Sequence, residues 1–283
     1  MGMLKSLIGM VSGPSGASGR VVIDRQALVA RHAIAWDALT GQVPLGNGEF
    51  CFNADGSGLQ TFGGNTMAHW GWHSAPLPEG ASPADVPATG TVETGRILAG
   101  MRVASARPDV SPWMFRNPHR LNLARLRLCR GDGRPLTADE ITGASRRLDL
   151  WSGLHTARFQ LAGVPVSVAT CVHPTLDLVA VRVESARLAR ADLQVVVDFP
   201  YPTLQTEGCV GDFTRPGDHR TALTPRGSHR VDLRRSADTT IYHVALTWAP
   251  GCELRTPAPH AVAVAGSGAG ALELVCAFAA GAL

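Results

Sequence analysis

The chain almost lacks lysine. Lys5 is the single one, so 25 of its 26 basic residues are arginine. Those arginines are scattered along 283 residues, and the net charge is only +3. A nucleic-acid surface needs clustered cations, so this distribution excludes one. It reads as the arginine bias of a GC-rich genome. Cys-x-x-Cys pairs are also missing, which excludes the common zinc frameworks. The six cysteines, Cys51, Cys129, Cys171, Cys209, Cys252 and Cys276, mostly sit in apolar stretches such as "GEFCFN" and "LELVCAF". They are expected as buried free thiols. No apolar run approaches the ~20 residues that span a bilayer. At the start, "LIGMV" falls short of the ~7–15 apolar residues of an export signal. Residues 1–20 are therefore expected as a flexible lead, and neither a membrane partner nor a cofactor is expected. No G-x-G-x-x-G or lysine-bearing phosphate loop is present. No internal repeat or interdomain linker is visible.

Helical periodicity is nearly absent too. "TADEITGASRRL" (137–148) offers Thr137 as an N-cap with Glu140 three residues on, but Gly143 interrupts it, so a short helix is expected. "RQALVARHAIAW" (25–36) reads as one helical turn or a leading strand.

Strand signals fill the rest. In "TARFQLAGVPVSVATCVH", Ala157, Phe159 and Leu161 alternate with polar residues, Ala162-Gly163 turns the chain, and Val164, Val166 and Val168 follow. That is a β-hairpin by pattern. Val179, Val181 and Val183 line one face of a strand, and Leu193, Val195, Val197 and Phe199 line one face of another. Many short strands punctuated by glycine and proline predict an all-β fold of two large antiparallel sheets packed face to face, as one domain over residues 21–283. Two stretches, 74–92 and 200–218, have no period and read as long loops.

The most unusual segment is "HWGWHSAPLP" (69–78), with Trp70, Trp72, His69 and His73 in five positions. Of the two indoles, one is expected to face a ligand and the other to anchor the loop. His69 and His73 stand four apart, as zinc ligands do on a helix. Trp70 occupies the glutamate position of H-E-x-x-H, however, and Gly71 and Pro76 oppose a helix, so no metal site is expected. A second polar-aromatic cluster, "SPWMFRNPHRLNL" (111–123), brings Trp113, Arg116, Asn117, His119 and Arg120 ahead of a strand.

Just before the tryptophan loop runs "QVPLGNGEFCFNADGSGLQTFGG" (42–64). Trp36-Asp37-Ala38-Leu39 followed by "PLGNGEF" is similar to the "ALPLGNGRLG" opening of the inverting α-fucosidase family. "LDLWSG" (148–153) and "HPTLDLVAVRVES" (173–185) are similar to that family's Leu-Asp-Leu strand and the strand after it. With "GLQTF", "WGWHS" and "NPHRLNL", the chain resembles bacterial six-hairpin-glycosidase-like proteins, a superfamily shared with disaccharide phosphorylases. The resemblance covers residues 22–200. It implies a β-supersandwich shaped like galactose mutarotase, followed by an α/α toroid that carries the catalytic carboxylates. No amphipathic helical run follows residue 200, so the expectation is a truncated or split protein. Its partners would be a carbohydrate and a toroid on the same or a separate chain.

The expected carbohydrate-binding residues are Trp70, Trp72, His73, Asn47, Trp113, Arg116, Asn117 and His119. Glycoside hydrolysis needs two carboxylates, roughly 5–5.5 or 6.5–9.5 Å apart. Glu49, Asp55, Asp109, Glu207, Asp212 and Asp218 lie outside obvious strands. Asp55 reads as a turn residue, and spacing along the chain singles out no catalytic pair. The leading expectation is a carbohydrate-facing β-sandwich of a glycoside hydrolase-like protein, not catalytic alone. The alternatives are a stand-alone carbohydrate-binding protein and a small mutarotase-type enzyme.

Overall fold

The computed structural model of the chain describes residues 23–86, 105–266, 268 and 270–283. The flexible lead expected over residues 1–20 and the end of the 74–92 loop lie outside the described residues.

Asp24 caps the first helix, α1 (Arg25–Ala30), by accepting from the Ala27 N–H at 2.9 Å. The leading strand β1 (Ile34–Trp36) follows, so the segment 25–36 holds both a helical turn and a strand. Then come β2 (Val43–Gly46), β3 (Phe50–Ala54), β4 (Thr66–Ala68), β5 (Trp72–His73), helix α2 (Val110–Arg116), β6 (His119–Arg120) and β7 (Arg125–Arg130). The next strands are β8 (Ile141–Asp149), β9 (Leu154–Leu161), β10 (Val164–Val172), β11 (Leu178–Glu184) and β12 (Leu193–Asp198). The last are β13 (His219–Pro225), β14 (Arg230–Ala237), β15 (Thr240–Trp248), β16 (Cys252–Ala258), β17 (Ala261–Gly266) and β18 (Ala271–Ala279).

The fold is all-β and antiparallel. A nine-stranded sheet runs β1-β8-β9-β10-β11-β18-β15-β14-β13, and a four-stranded sheet runs β16-β17-β12-β7. Two small sheets, β2-β3-β4 and the ribbon β5-β6, sit beside them. Val166, Val168, Val179, Val181, Val183, Leu272 and Leu274 of the large sheet share one core with Leu126, Leu128, Val195, Val197, Val262 and Val264 of the four-stranded sheet. Each such side chain contributes about 1.5–3 kcal/mol on full burial. This face-to-face packing is the sandwich that the alternation predicts.

In three places the structure refines the expectation. The capping box at Thr137 and Glu140 forms, but it caps a single 3-10 turn, Ala138–Glu140. Strand β8 begins at once and carries a bulge between Thr142 and Ser145, with Gly143 at φ +59°. A residue free to adopt that backbone lets the strand continue where a helix would have ended. Strand β12 is buried on both faces, not only on its valine face. Its outer residue Asp198 pairs with Arg127 and Arg125. The 200–218 loop is closed by two 2.8 Å backbone bonds between Tyr201 and Asp212. Asn65 and Asn122 hold it at Gly208 and Val210. All six cysteines are free thiols, four of them buried. Among the described residues, no helix is long and apolar enough to cross a membrane.

Candidate functional site

The tryptophan loop and the "NPHR" segment are strand partners. Trp72 stands opposite Arg120, and His73 opposite His119. Because side chains alternate across a strand, the ribbon is two-faced: Trp72 and Arg120 are exposed, and His73 and His119 are buried. Gly71 precedes it because a Cβ there would meet the Ala68 carbonyl oxygen at 3.2 Å. Two residues past the strand, Ala75 is clamped on both sides. Its N–H donates to Asn117 Oδ1 at 2.7 Å, and its carbonyl accepts from Trp113 Nε1 at 3.2 Å.

On the outward face the Trp72 indole is 47% exposed and fixed. Its Nε1 donates to the His69 carbonyl at 3.0 Å, and the Arg120 guanidinium lies 4.2 Å from the ring centre. Arg120 is held in turn by the carbonyls of Ala68 and His69, at 3.0 and 2.9 Å. Such a cation–ring contact contributes about 0.5–1 kcal/mol when exposed. Arg120 also walls a depression of about 370 Å³, lined with Gly46, Glu49, Met67 and His69. This is within the ~300–1,000 Å³ of small-molecule sites. Glu49 and His69 face each other across 2.8 Å, both largely exposed.

Trp70 turns the other way. Its Nε1 donates to Asp177 Oδ2 at 2.6 Å, and its ring lies 6.4 Å from that of Tyr242. It anchors the loop to the sandwich.

The inward face meets the rim of the large sheet. His73 Nδ1 is 2.8 Å from Thr240 Oγ1, and its Nε2 is 3.2 Å from Asp238 Oδ2, off the line of a hydrogen bond. Tyr201 donates to that same oxygen at 2.8 Å. Burial, and then the hydrogen bond to Asp238, push the Tyr201 phenol up to about 12. Asp238 sits in the β14–β15 turn at φ +49°, a backbone that Asp tolerates better than most residues. The His119 ring is 5.2 Å from that of His73. Burial brings His119 down to about 4 and also lowers His73. Beyond Tyr201, His219 and His260 stack at 3.8 Å, and both contact the buried Arg235.

The structure thus brings Trp72, His73, His119, Trp113 and Asn117 to one rim, with Trp113 and Asn117 serving the loop backbone. Arg116 is exposed at the end of α2. Asn47 is spent internally. Its Oδ1 accepts from the Glu49 and Phe50 N–H groups, and its Nδ2 donates to the carbonyls of His173 and Leu176. That takes the whole capacity of an amide, so Asn47 has no group free for a ligand. Asp55 is a buried turn acceptor for Ser57, Phe62 and Gly63. Asp109 pairs with Arg107, Asp212 accepts from Thr214, Asp218 pairs with Arg215, and Glu207 is exposed. His69 and His73 face different partners. Among the described residues, no three His, Cys, Asp or Glu side chains converge as a ligand set for a metal. Tyr201, Asp238 and Thr240 give no sequence signal, because they reach the ribbon only through the fold.

No family profile matches the chain, and no curated protein matches it. Among solved structures, it is similar to one assigned as a kojibiose phosphorylase from the human microbiome, at 11% identity and a TM-score of 0.47. The likeness covers 87% of this chain, which spans 32% of the length of that protein. At that identity and score it transfers neither residues nor chemistry.

Proposed function

We propose that the chain is a carbohydrate-facing β-sandwich of a glycoside hydrolase-like or phosphorylase-like protein, and that the outward face of the β5–β6 ribbon is its sugar platform. The observation that carries this reading is the fixed, exposed Trp72 beside the depression walled by Arg120. A sugar ring has an apolar C–H face and a polar hydroxyl rim. An indole held at its Nε1 and covered on one side by a guanidinium offers its remaining surface to the first, with little ordering cost on binding. Glu49, His69 and Arg120 supply acceptors and donors for the second. The motif resemblance supports the same class of ligand. In this reading bond cleavage belongs to an α/α toroid, on the same or a separate chain, and no bond-breaking step is assigned to these residues.

The test is a fluorescence titration with neutral mono- and disaccharides at millimolar concentration. Base–aromatic stacking in nucleic-acid systems contributes about 1–3 kcal/mol, and a single sugar–indole platform is expected at the low end, hence weak binding. Trp72→Ala should abolish the sugar-dependent change and leave the unfolding midpoint within a few degrees. If no sugar perturbs the wild type and Trp72→Ala fails to fold, the indole is a packing residue and the platform does not exist.

A further inference from the structure

Arg120 is held in place by one nitrogen and leaves the rest of its guanidinium unused. Nη1 spends its two hydrogens on the carbonyls of Ala68 and His69, at 3.0 and 2.9 Å. The Trp72 ring, 4.2 Å away, fixes the group from one side. Among the described residues, Arg120 Nε and Nη2 have no hydrogen-bond partner, and no carboxylate lies within ion-pair distance of the guanidinium. Arg120 is exposed and walls the depression of about 370 Å³, so a ligand there has room and arrives directly from solvent. The other charged lining group, Glu49, is turned to His69 Nδ1 at 2.8 Å. Much of the remaining lining is apolar, with Pro44, Leu45, Met67 and Ala68.

We infer that the depression beside Trp72 takes an acidic sugar, a hexuronate whose ring carboxylate docks on the Nε–Nη2 edge of Arg120. This deepens the sugar-platform reading above and rests on it. The ligand class follows from the open edge. Its two parallel N–H groups match the two oxygens of a carboxylate, and such charge-assisted pairs are the stronger kind of hydrogen bond. The guanidinium is already fixed before a ligand arrives, which lowers the ordering cost of binding. The apolar lining suits the C–H face of a sugar ring, and Glu49 and His69 remain for its hydroxyls. An amino sugar would bring its ammonium group against Arg120. A phosphate would bring its second negative charge toward Glu49 and set a tetrahedral group on a flat fork.

The test titrates the full chain with glucuronate, glucuronamide and glucose, read by tryptophan fluorescence and by calorimetry. Glucuronamide keeps the shape of glucuronate and loses the charge. Glucuronate should bind about tenfold tighter than either, the low end of what a hydrogen bond to a charged group contributes. The preference should shrink with added salt, because the site is exposed. Arg120→Lys keeps the charge and loses the fork. It should weaken glucuronate binding about fivefold, the worth of one net hydrogen bond, and leave glucose binding little changed. If that variant does not fold, the wild-type comparison of glucuronate with glucuronamide still decides. Equal binding of the three compounds overturns the acidic assignment and leaves the platform standing. Glucose 6-phosphate or glucosamine binding as tightly as glucuronate also overturns it, and acetate doing so would reduce the site to a bare anion contact. Silence of every sugar in both readouts sinks the platform, and this inference with it.

Discussion

Trp70 and Trp72 stand two residues apart and do opposite work. A continuous strand would put residues two apart on one face; here a turn separates them, with the Gly71 N–H bonded to the Ala68 carbonyl and the Trp72 N–H to the Trp70 carbonyl. Which indole faces outward is not legible in the sequence, because Asp177, which holds Trp70, lies 107 residues away. The difference predicts different costs. Trp70→Phe keeps the ring but strands the half-buried Asp177 acceptor, and should lower stability by about 1–3 kcal/mol in denaturant unfolding. Trp72→Phe should stay within about 0.5 kcal/mol, as surface substitutions do. Equal costs for the two would mean that Trp70 does not anchor the loop. Asn47 teaches the same lesson. Its type suits a sugar hydroxyl, yet the carbonyls of His173 and Leu176, brought to it by the fold, consume its amide.

At the scale of the element, the β9–β10 hairpin was readable in full. Leu161 pairs with Val164, and the two turn residues, Ala162 and Gly163, both have positive φ, 49° and 75°. That is the I′ geometry, whose twist suits a hairpin and whose first position favours Asn over Ala. A left-handed backbone costs an ordinary L-residue roughly 1–2 kcal/mol. Ala162→Asn is therefore expected to raise stability by about 0.5–1 kcal/mol, read as a higher midpoint at unchanged denaturant slope. A lower midpoint would place the turn in another class. The ribbon β5–β6 is the contrary case. Each of its strands is two residues long, and the partners lie 46 or more positions apart, so no local pattern sets the pairing of Trp72 with Arg120.

Over the whole molecule, the buried histidines set the response to acid. His119, His155 and His219 are each lowered to about 4, in every case first by burial. The Arg235 guanidinium, a permanent donor, occupies His219 Nδ1, so protonation of that nitrogen must break the contact. In the unfolded chain the same side chains titrate near ~6.5. Between about 6.5 and 4 the unfolded state therefore binds more protons, and stability falls as pH falls through that window. Above it these groups contribute no slope. Asp55 and Asp198 act in the opposite sense, because burial raises both and the folded state takes up their protons first. The histidines outnumber them, so the denaturation midpoint should drop from pH 7 to pH 4.5, and His219→Gln should flatten the profile. A midpoint that holds or rises on acidification would contradict this account.

The sequence by itself determined the class of fold. Period-two alternation, β-branched strands and glycine or proline turns are local properties, and they specify antiparallel strands with one face in a core wherever the chain goes. It also determined that the tryptophan loop is unlike its surroundings. The tertiary structure decided what meets the loop. Tyr201, Asp238 and Thr240 come from the 200–218 loop and the β14–β15 hairpin, and Arg120 from a segment far down the chain. Contacts of that separation depend on sheet order and register, which follow from the packing of the whole core and not from the spacing of any motif.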